Sequence, residues 1–271
     1  MTWASFHHPD WSLPVVRRRA GEEWIDLLAD VGEILASGGR SLTWNSSYPN
    51  RRAYNNAMYR LKKAGLVVRS EMPGKLPVLR LTEEGRNHRP VYYRPDQEWN
   101  SKWNGIWYML IFDVPEQERC YRDSLRRFLK RLRMGWLQKS VWITPRDIRP
   151  EYSDLEKAAN VQAVSYLLES RTVLRRETAE LVTDAWDFNW LQELQQRYLD
   201  VYKENLHAIR GVRDEAEDIM SLLYQEAEAY IQCMRLDPLL PNELLPKGYL
   251  GKEVFSLHMK IRKSIALALV R

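Results

Sequence analysis

The sequence predicts an α+β protein with an N-terminal winged helix-turn-helix, a central ferredoxin-like α/β domain and a C-terminal helical domain. Three observations support this order. The first third of the 271 residues has the spacing of two helices and then two short strands. The middle alternates strand-like and helical patterns, and the end repeats a helical pattern three times. We expect an extension over 1–21, the winged helix over 22–94, a linker over 95–103, the central domain over 104–186 and the helical domain over 187–271.

The composition indicates a folded, soluble chain, because 45% of its residues are hydrophobic and 28% are charged. No apolar run approaches the roughly 20 residues that span a bilayer. Near the N-terminus the charges follow the short apolar segment, which is the reverse of a secretory signal. Cys120 and Cys233 lie far apart and give neither a zinc spacing nor a disulfide framework. We therefore expect a cytoplasmic protein with no cofactor and no membrane partner.

The net charge of +5 is unevenly distributed along the chain. Residues 1–94 hold 15 Lys and Arg against 9 Asp and Glu, whereas residues 151–271 hold 15 against 20. A basic front and an acidic back favour a polyanion bound to the front. Ordinary surface charge for solubility is the alternative interpretation.

The pattern of the first third is typical of a winged helix. The stretch "EEWIDLLADVGEILASGG" has helical apolar spacing and ends at a glycine pair. A second helix is predicted in "NRRAYNNAMYRLKKAG", with apolar residues on one side and polar residues on the other. The segments "LVVRSE" and "LPVLRLTEEG" then predict two strands around the turn "MPGK".

The polar face of the second helix suits duplex DNA. Asparagine can pair with adenine edges and arginine with guanine edges, while lysines neutralise phosphates. A solvated helix face and a protein-docking module are the alternatives. The candidate DNA-binding residues are Arg51, Arg52, Asn55, Asn56, Tyr59, Lys62, Lys63, Arg69 and Lys75.

The central domain begins with "WYMLIFDVPEQER", a predicted buried strand that ends in Asp113. A helix follows in "EQERCYRDSLRRFLKRLRMG", and "WLQKSVWITP" is predicted as one alternating strand. A helix, a strand and a further helix are expected in "SDLEKAANVQ", "AVSYLLESRTVL" and "ETAELVTDAW". This order fits a ferredoxin-like plait. The basic face of the first helix could bind nucleic acid or a phosphorylated ligand, or it could be exposed to solvent. We favour a fourth interpretation, in which it pairs with the acidic C-terminal third.

The last third contains three long helical patterns, beginning near Trp186, Asp214 and Glu253. Their aromatic residues are interpreted as core, with a ligand pocket or a dimer surface as alternatives. Between the second and third patterns, "DPLLPNELLPKGYLG" contains three prolines and predicts a fixed, extended connector. A dimer would place two recognition helices one DNA turn apart, roughly 34 Å, over a palindromic site.

Together these segments resemble the PaaX family, repressors of phenylacetate-degradation genes, from about Glu22 to Ala266. The most specific pieces are "DVPE…R…LR" with "GWLQKSVWITP", and the connector, which carries Tyr249 where the family usually has Trp. The resemblance implies a homodimeric DNA-binding repressor that is released by an effector, an aromatic acyl-CoA. A CoA effector needs basic groups near an apolar cleft. The candidates are Arg126, Lys130, Arg175 and Arg176.

The middle domain also resembles the small ferredoxin-like nuclease of CRISPR adaptation complexes, in which an Asp at this position is linked to a metal. A metal-dependent nuclease, or a nuclease-like interaction module centred on Asp113, is therefore the alternative function. Hard divalent metals usually need more than one carboxylate, and the neighbours Glu116 and Glu118 suit a helix N-terminus. We expect Asp113 to cap the turn at Val114–Glu116, and we expect no enzyme activity.

Overall fold

The structure is a computed structural model. It describes residues 94–115, 117, 119–153, 165–173, 176–209 and 216–270, together with scattered positions between 52 and 84. These residues belong to two compact units. One contains residues 95–200 and 229–256, and the other contains the remaining described positions. The predicted boundaries at 94, 103 and 186 stay predictions.

Two short strands lie in the first third of the chain. Strand β1 covers Val67–Ser70 and strand β2 covers Val78–Leu81, and they pair in antiparallel fashion with Val67 opposite Leu81. The two strands predicted around "MPGK" are therefore present. The helix-turn-helix predicted before them lies outside the described residues, apart from isolated positions.

The central sheet has four antiparallel strands in the order β4-β5-β3-β6. The single strand predicted in "WLQKSVWITP" is wrong, because the chain forms a hairpin there. Lys139 and Ser140 form its turn, and the register shifts between Trp136 and Gln138. Because the apolar residues on either side of these two polar residues keep their alternation, the sequence pattern does not show that the chain leaves the strand there. The strands are β3 at Trp107–Phe112, β4 at Gly135–Gln138, β5 at Val141–Thr144 and β6 at Ser165–Ser170.

The described helices match the predicted patterns and add a short helix inside the predicted linker. The connector contains one 3₁₀ turn at Asn242–Leu244. Residues 149–153 are also helical, and most of the helix predicted in "SDLEKAANVQ" lies outside the described residues. The helices are α1 at Pro95–Trp99, α2 at Arg119–Arg131, α3 at Thr178–Ala185, α4 at Phe188–Ile209, α5 at Ala216–Arg235 and α6 at Gly251–Val270.

Both faces of strand β3 are buried, because successive side chains of a strand point to opposite faces. On one face Tyr108 and Leu110 pack with Leu129 of α2. On the other face Trp107 packs with Leu181 of α3 and with residues of the connector. Strand β3 is thereby buried or partly buried on both sides, which explains the continuous apolar run in the sequence, whereas Tyr166 and Leu168 of strand β6 are 72% and 46% exposed. Within the described residues, no helix is both long enough and apolar enough to cross a membrane.

Candidate functional site

A cavity of about 480 Å³ opens beside strand β4. Its walls come from α2, the β4–β5 hairpin, the junction of α3 with α4, and the end of α5. Four tryptophans line it, and Trp142 is 3% exposed while Trp136 is 55% exposed. The apolar and aromatic lining consists of Met134, Trp136, Trp142, Ala185, Trp186, Trp190, Leu191, Leu236 and Pro238.

Basic side chains surround the same cavity. Arg126 and Lys130 come from α2, Arg133 follows this helix, and Arg235 ends α5. Among the lining residues that the structure describes, Asp187 alone is acidic. Its Oδ1 accepts a hydrogen bond of 3.0 Å from the backbone N–H of the third residue of α4. That carboxylate therefore caps α4, where a negative charge is stabilising. The cavity thus combines an aromatic wall with an excess of positive charge.

Gly135 allows the Trp186 ring to lie against strand β4. A Cβ atom at Gly135 would lie 2.6 Å from the Cβ of Ala185 and 2.7 Å from Cε2 of Trp186. Both distances are shorter than a van der Waals contact, so a larger residue would displace the α3–α4 junction. The Trp186 indole N–H also donates a hydrogen bond of 3.2 Å to the carbonyl of Arg133. This wall of the cavity is therefore set by one close backbone approach and one hydrogen bond.

Arg133 links the cavity to the connector. Its backbone has a positive φ of 59°, and its Nη1 donates hydrogen bonds to the carbonyls of Met234, at 3.0 Å, and Asp237. These are the carbonyls at the end of α5 and the beginning of the connector. Arg133, which lines the cavity, therefore also holds the chain where the connector leaves α5.

The Asp237 carboxylate is fully buried and accepts three hydrogen bonds. Its donors are the hydroxyl of Tyr249 at 2.6 Å, Nε2 of Gln195 at 2.8 Å and the backbone N–H of Leu239 at 2.8 Å. Burial raises the pKa of Asp237, and the hydrogen bond from Tyr249 acts in the opposite direction. Burial and the charge of Asp237 raise the pKa of Tyr249. This carboxylate therefore holds the connector in one conformation.

The structure brings together two of the four predicted effector residues. Arg126 and Lys130 line the cavity, four residues apart on α2. Arg176 lies elsewhere, where its Nη1 pairs with Asp184 at 3.2 Å. Arg175 lies outside the described residues.

The ion pairs described for α2 are local. Arg119 and Arg126 pair with Asp123 of the same helix at 3.7 and 3.9 Å, and Nη2 of Arg126 also donates to the carbonyl of Lys139 at 3.2 Å. The predicted pairing of this helix with the acidic C-terminal third stays a prediction.

Four of the predicted DNA-binding residues are helical and exposed in the structure. They are Arg52, Tyr59, Lys62 and Lys63, and the Tyr59 side chain is 66% exposed. Arg69 lies in strand β1. Arg51, Asn55, Asn56 and Lys75 lie outside the described residues.

Asp113 is exposed just beyond the end of β3. In the part of the chain that the structure describes, no three His, Cys, Asp or Glu side chains lie close enough together to hold a metal ion. The carboxylates of Glu116 and Glu118 are outside that part. The predicted cap involves Glu116, so it stays a prediction.

The aromatic wall of the cavity was not predicted from the sequence. Trp136 and Trp142 belong to the segment "WLQKSVWITP", and Trp186 and Trp190 belong to the helical pattern that begins near Trp186; each segment satisfies a local strand or helix pattern on its own. The richness of the chain in tryptophan, 11 residues of 271, was the one available signal. It indicates an aromatic site without showing which rings converge.

Comparison with known proteins identifies a central domain and similarity over most of the chain. Residues 100–182 match the family model described as the PaaX protein central Cas2-like domain. The chain is 24% identical over 262 residues to the transcriptional repressor PaaX of Escherichia coli (strain K12), with 92% of this chain and 76% of the repressor covered. The similarity predicted from the motifs is thereby confirmed.

A solved structure is similar in fold. It is that of the uncharacterized protein Rv0674 from Mycobacterium tuberculosis, with a TM-score of 0.50 and 22% sequence identity. The match covers 97% of this chain and 92% of that protein. At this identity the similarity concerns the fold alone.

Proposed function

We propose that this chain, a PaaX-family protein by its central domain and by its similarity along most of its length, is a DNA-binding transcriptional regulator that acts as a repressor. The observation that carries the proposal is the similarity to a transcriptional repressor over 92% of the chain. A match confined to the central domain would have left the first third without a role. The similarity extends through the region in which the sequence predicts a winged helix.

DNA binding is assigned to the second helix and the hairpin of the first third. Arg52, Lys62 and Lys63 are exposed and helical, and β1 and β2 form an antiparallel pair after them. In this arrangement the helix reads base edges in the major groove, and the hairpin follows the adjacent backbone. Lysines contact phosphates and set affinity, whereas Arg52 and the asparagines set sequence preference.

The regulator is proposed to act in the cytoplasm as a homodimer on a palindromic operator. Two recognition helices about 34 Å apart read two half-sites on one face of the duplex. Joining two weak half-site contacts multiplies affinity because the second contact becomes intramolecular. The positive charge of residues 1–94 favours binding of this region to the DNA polyanion.

The effector is proposed to be an aromatic acyl-CoA thioester. Such a ligand releases the operator if it binds the DNA-free protein more tightly than the DNA-bound protein. By thermodynamic linkage, the ligand then weakens DNA binding by the same factor by which DNA weakens ligand binding. The class is supported by the family resemblance and by the chemistry of the described cavity, which places aromatic rings beside cationic side chains.

The test is recovery of genomic DNA fragments bound to the full-length protein, followed by footprinting of the enriched site. We expect a palindromic site of two half-sites, occupied by a dimer. Replacing Arg52, Asn55 and Lys63 together with alanine should abolish retention of the site at physiological salt. The matched control replaces Arg127, Arg131 and Lys139 of the central domain with alanine. The regulator proposal is wrong if no site is enriched, or if the first variant retains the site as tightly as the control does.

A further inference from the structure

We propose that a relay of hydrogen bonds couples the cavity beside strand β4 to helix α1. The relay consists of Arg133, Asp237, Tyr249 and Trp99. Helix α1 begins at Pro95, directly after the region in which the sequence predicts the winged helix. The inference rests on the proposed function, because its output is the DNA affinity of that region. Its first readout needs no DNA, so the relay and the regulator can each fail alone.

Arg133 is the end of the relay at the cavity. The residue lines the cavity, and its Nη1 donates hydrogen bonds to the carbonyls of Met234 and Asp237. The donors of a guanidinium are fixed in one plane, so a change in its orientation alters both bonds together. A cavity occupant that moves the Arg133 side chain therefore releases the beginning of the connector.

Asp237 passes a displacement of the connector on to Tyr249. Its carbonyl accepts the hydrogen bond from Arg133, whereas its carboxylate accepts the hydrogen bond of 2.6 Å from the Tyr249 hydroxyl. One residue carries both contacts, so a movement of its backbone alters the geometry of the second contact. The carboxylate is fully buried, and a hydrogen bond in the protein interior is electrostatically stronger than one in water. Tyr249 is therefore sensitive to the position of Asp237.

Two contacts join the connector to α1. The indole N–H of Trp99, which is 4% exposed, donates to the Tyr249 hydroxyl at 3.0 Å. Nη2 of Arg146 lies 3.3 Å from both the carbonyl of Pro238, to which it donates a hydrogen bond, and the Glu98 carboxylate. Both contacts depend on the first two residues of the connector, so a shift there reaches α1 by two routes.

The backbone of the relay can relax when its hydrogen bonds break. Arg133 and Leu239 have positive φ values of 59° and 50°, a left-handed conformation that is unfavourable for residues with a Cβ atom. The N–H of Leu239 donates to the Asp237 carboxylate at 2.8 Å and so holds one of them. Unfavourable backbone conformations persist only where the surrounding contacts enforce them. Loss of the Arg133 contacts therefore favours a second conformation of the connector, and both ends of the relay bias one equilibrium.

The first test is NMR of the full-length protein with ¹⁵N-labelled tryptophan, in which each indole N–H gives its own signal. Trp99→Phe assigns the signal of Trp99 by its disappearance. Tyr249→Phe removes the acceptor of this N–H and marks the signal position of an open relay. Arg133→Met, which keeps the side-chain length and removes the donors, should move the Trp99 signal at least half of the way to that position. Arg133→Lys, which keeps the charge, should move it less.

The matched control is Arg127→Met. Arg127 is an exposed cation of α2 outside the cavity lining, and its Nε donates to the carbonyl of Asp123 in the same helix at 3.3 Å. The control should leave the Trp99 signal at its wild-type position. Arg133→Met combined with Tyr249→Phe should give the signal of Tyr249→Phe alone, because both changes interrupt one relay. The relay is overturned if Arg133→Met and the control give the same signal position, or if the two relay substitutions shift the signal additively.

Operator affinity measures the output of the relay. On the DNA site recovered with the full-length protein, Arg133→Met should bind about fivefold more weakly than the wild type, which is the lower end of typical allosteric coupling. The reason is that the open relay represents the state that releases DNA. Arg127→Met should bind as the wild type does. Equal operator affinities of these two variants would overturn the regulatory role of the relay, whereas failure to recover any site would overturn the proposed function and leave the NMR comparison to decide the relay.

Discussion

The hydroxyl of Tyr249 donates a hydrogen bond of 2.6 Å to the buried carboxylate of Asp237, and it thereby joins the two ends of the connector at 237–251. The indole N–H of Trp99 in turn donates to the Tyr249 hydroxyl at 3.0 Å. The three prolines of the connector restrict its backbone, but they do not bring its ends together. That closure depends on the polar contact between Tyr249 and Asp237.

Tyr249→Phe is expected to lower the free energy of unfolding by about 1–3 kcal/mol, because a buried carboxylate loses one of its three donors. The expected readout is the midpoint of urea unfolding. Tyr166→Phe is the matched control, since the Tyr166 side chain is 72% exposed, and its effect should stay within about 0.5 kcal/mol. Equal effects of the two variants would contradict the role given to the Asp237–Tyr249 contact.

The decrease in the free energy of unfolding caused by Tyr249→Phe should also depend on pH. Burial raises the pKa of Asp237 above its usual 3.8, so the folded state holds this proton more tightly than the unfolded state does. The contribution to stability is therefore fully present below the unfolded pKa and is lost as the pH rises through the folded pKa. The Tyr249 hydroxyl lowers that pKa, and its removal raises it further. The difference between variant and wild type should thus grow as the pH rises above the folded pKa of the wild type and level off above the higher folded pKa of the variant, and a constant difference would contradict this account.

Gly135→Ala is expected to destabilise the protein by about 1–3 kcal/mol, because the added Cβ overlaps with Ala185 and Trp186. It should also abolish binding of any cavity ligand, since both neighbours line the cavity. Gly105→Ala is the control, with a positive φ of 75° and open space around it. It should cost about 1–2 kcal/mol through backbone strain and leave ligand affinity unchanged. Intact ligand binding in Gly135→Ala would show that Trp186 does not form the wall.

His258 and Glu226 form a buried pair in which Nδ1 and Oε1 are 2.7 Å apart, with side chains 3% and 0% exposed. His258→Leu should cost about 1–3 kcal/mol, because the buried Glu226 loses this hydrogen-bond partner. Replacing both His258 and Glu226 with leucine should cost less than the sum of the two single leucine substitutions. Unfolding free energies of the four proteins in the cycle measure this coupling. Lys260→Ala, at an exposed position of the same helix, should be nearly neutral. Additive effects of the two leucine substitutions would exclude the coupling.

Asp113→Ala is expected to cause no change in nucleic-acid cleavage and to lower the free energy of unfolding by about 1 kcal/mol, because the exposed side chain is predicted to cap the turn after β3. Pure wild-type protein and the variant are incubated with DNA or RNA in the presence of Mg²⁺ or Mn²⁺. We expect no cleavage that depends on Asp113. Metal-dependent cleavage by the wild type that the variant lacks would restore the nuclease alternative.

Local periodicity was enough to place most elements of the central and C-terminal parts. The buried strand at Trp107–Phe112 and the helices α2, α4, α5 and α6 were all predicted, since each is encoded by apolar spacing within one segment. The β4–β5 hairpin was missed for the same reason. Lys139 and Ser140 continue the alternation of a strand, and only pairing with a partner strand shows that the chain turns there.

The sequence by itself determined the α+β class of the described residues, the basic character of α2 and the position of a fixed connector, because these properties depend on neighbouring residues. Only the tertiary structure decided that Arg126, Trp142, Trp186 and Leu236 meet in one cavity, and that Arg133 and Tyr249 converge on Asp237. These side chains come from segments far apart in the chain. Their meeting depends on strand order and helix packing, which no local pattern specifies.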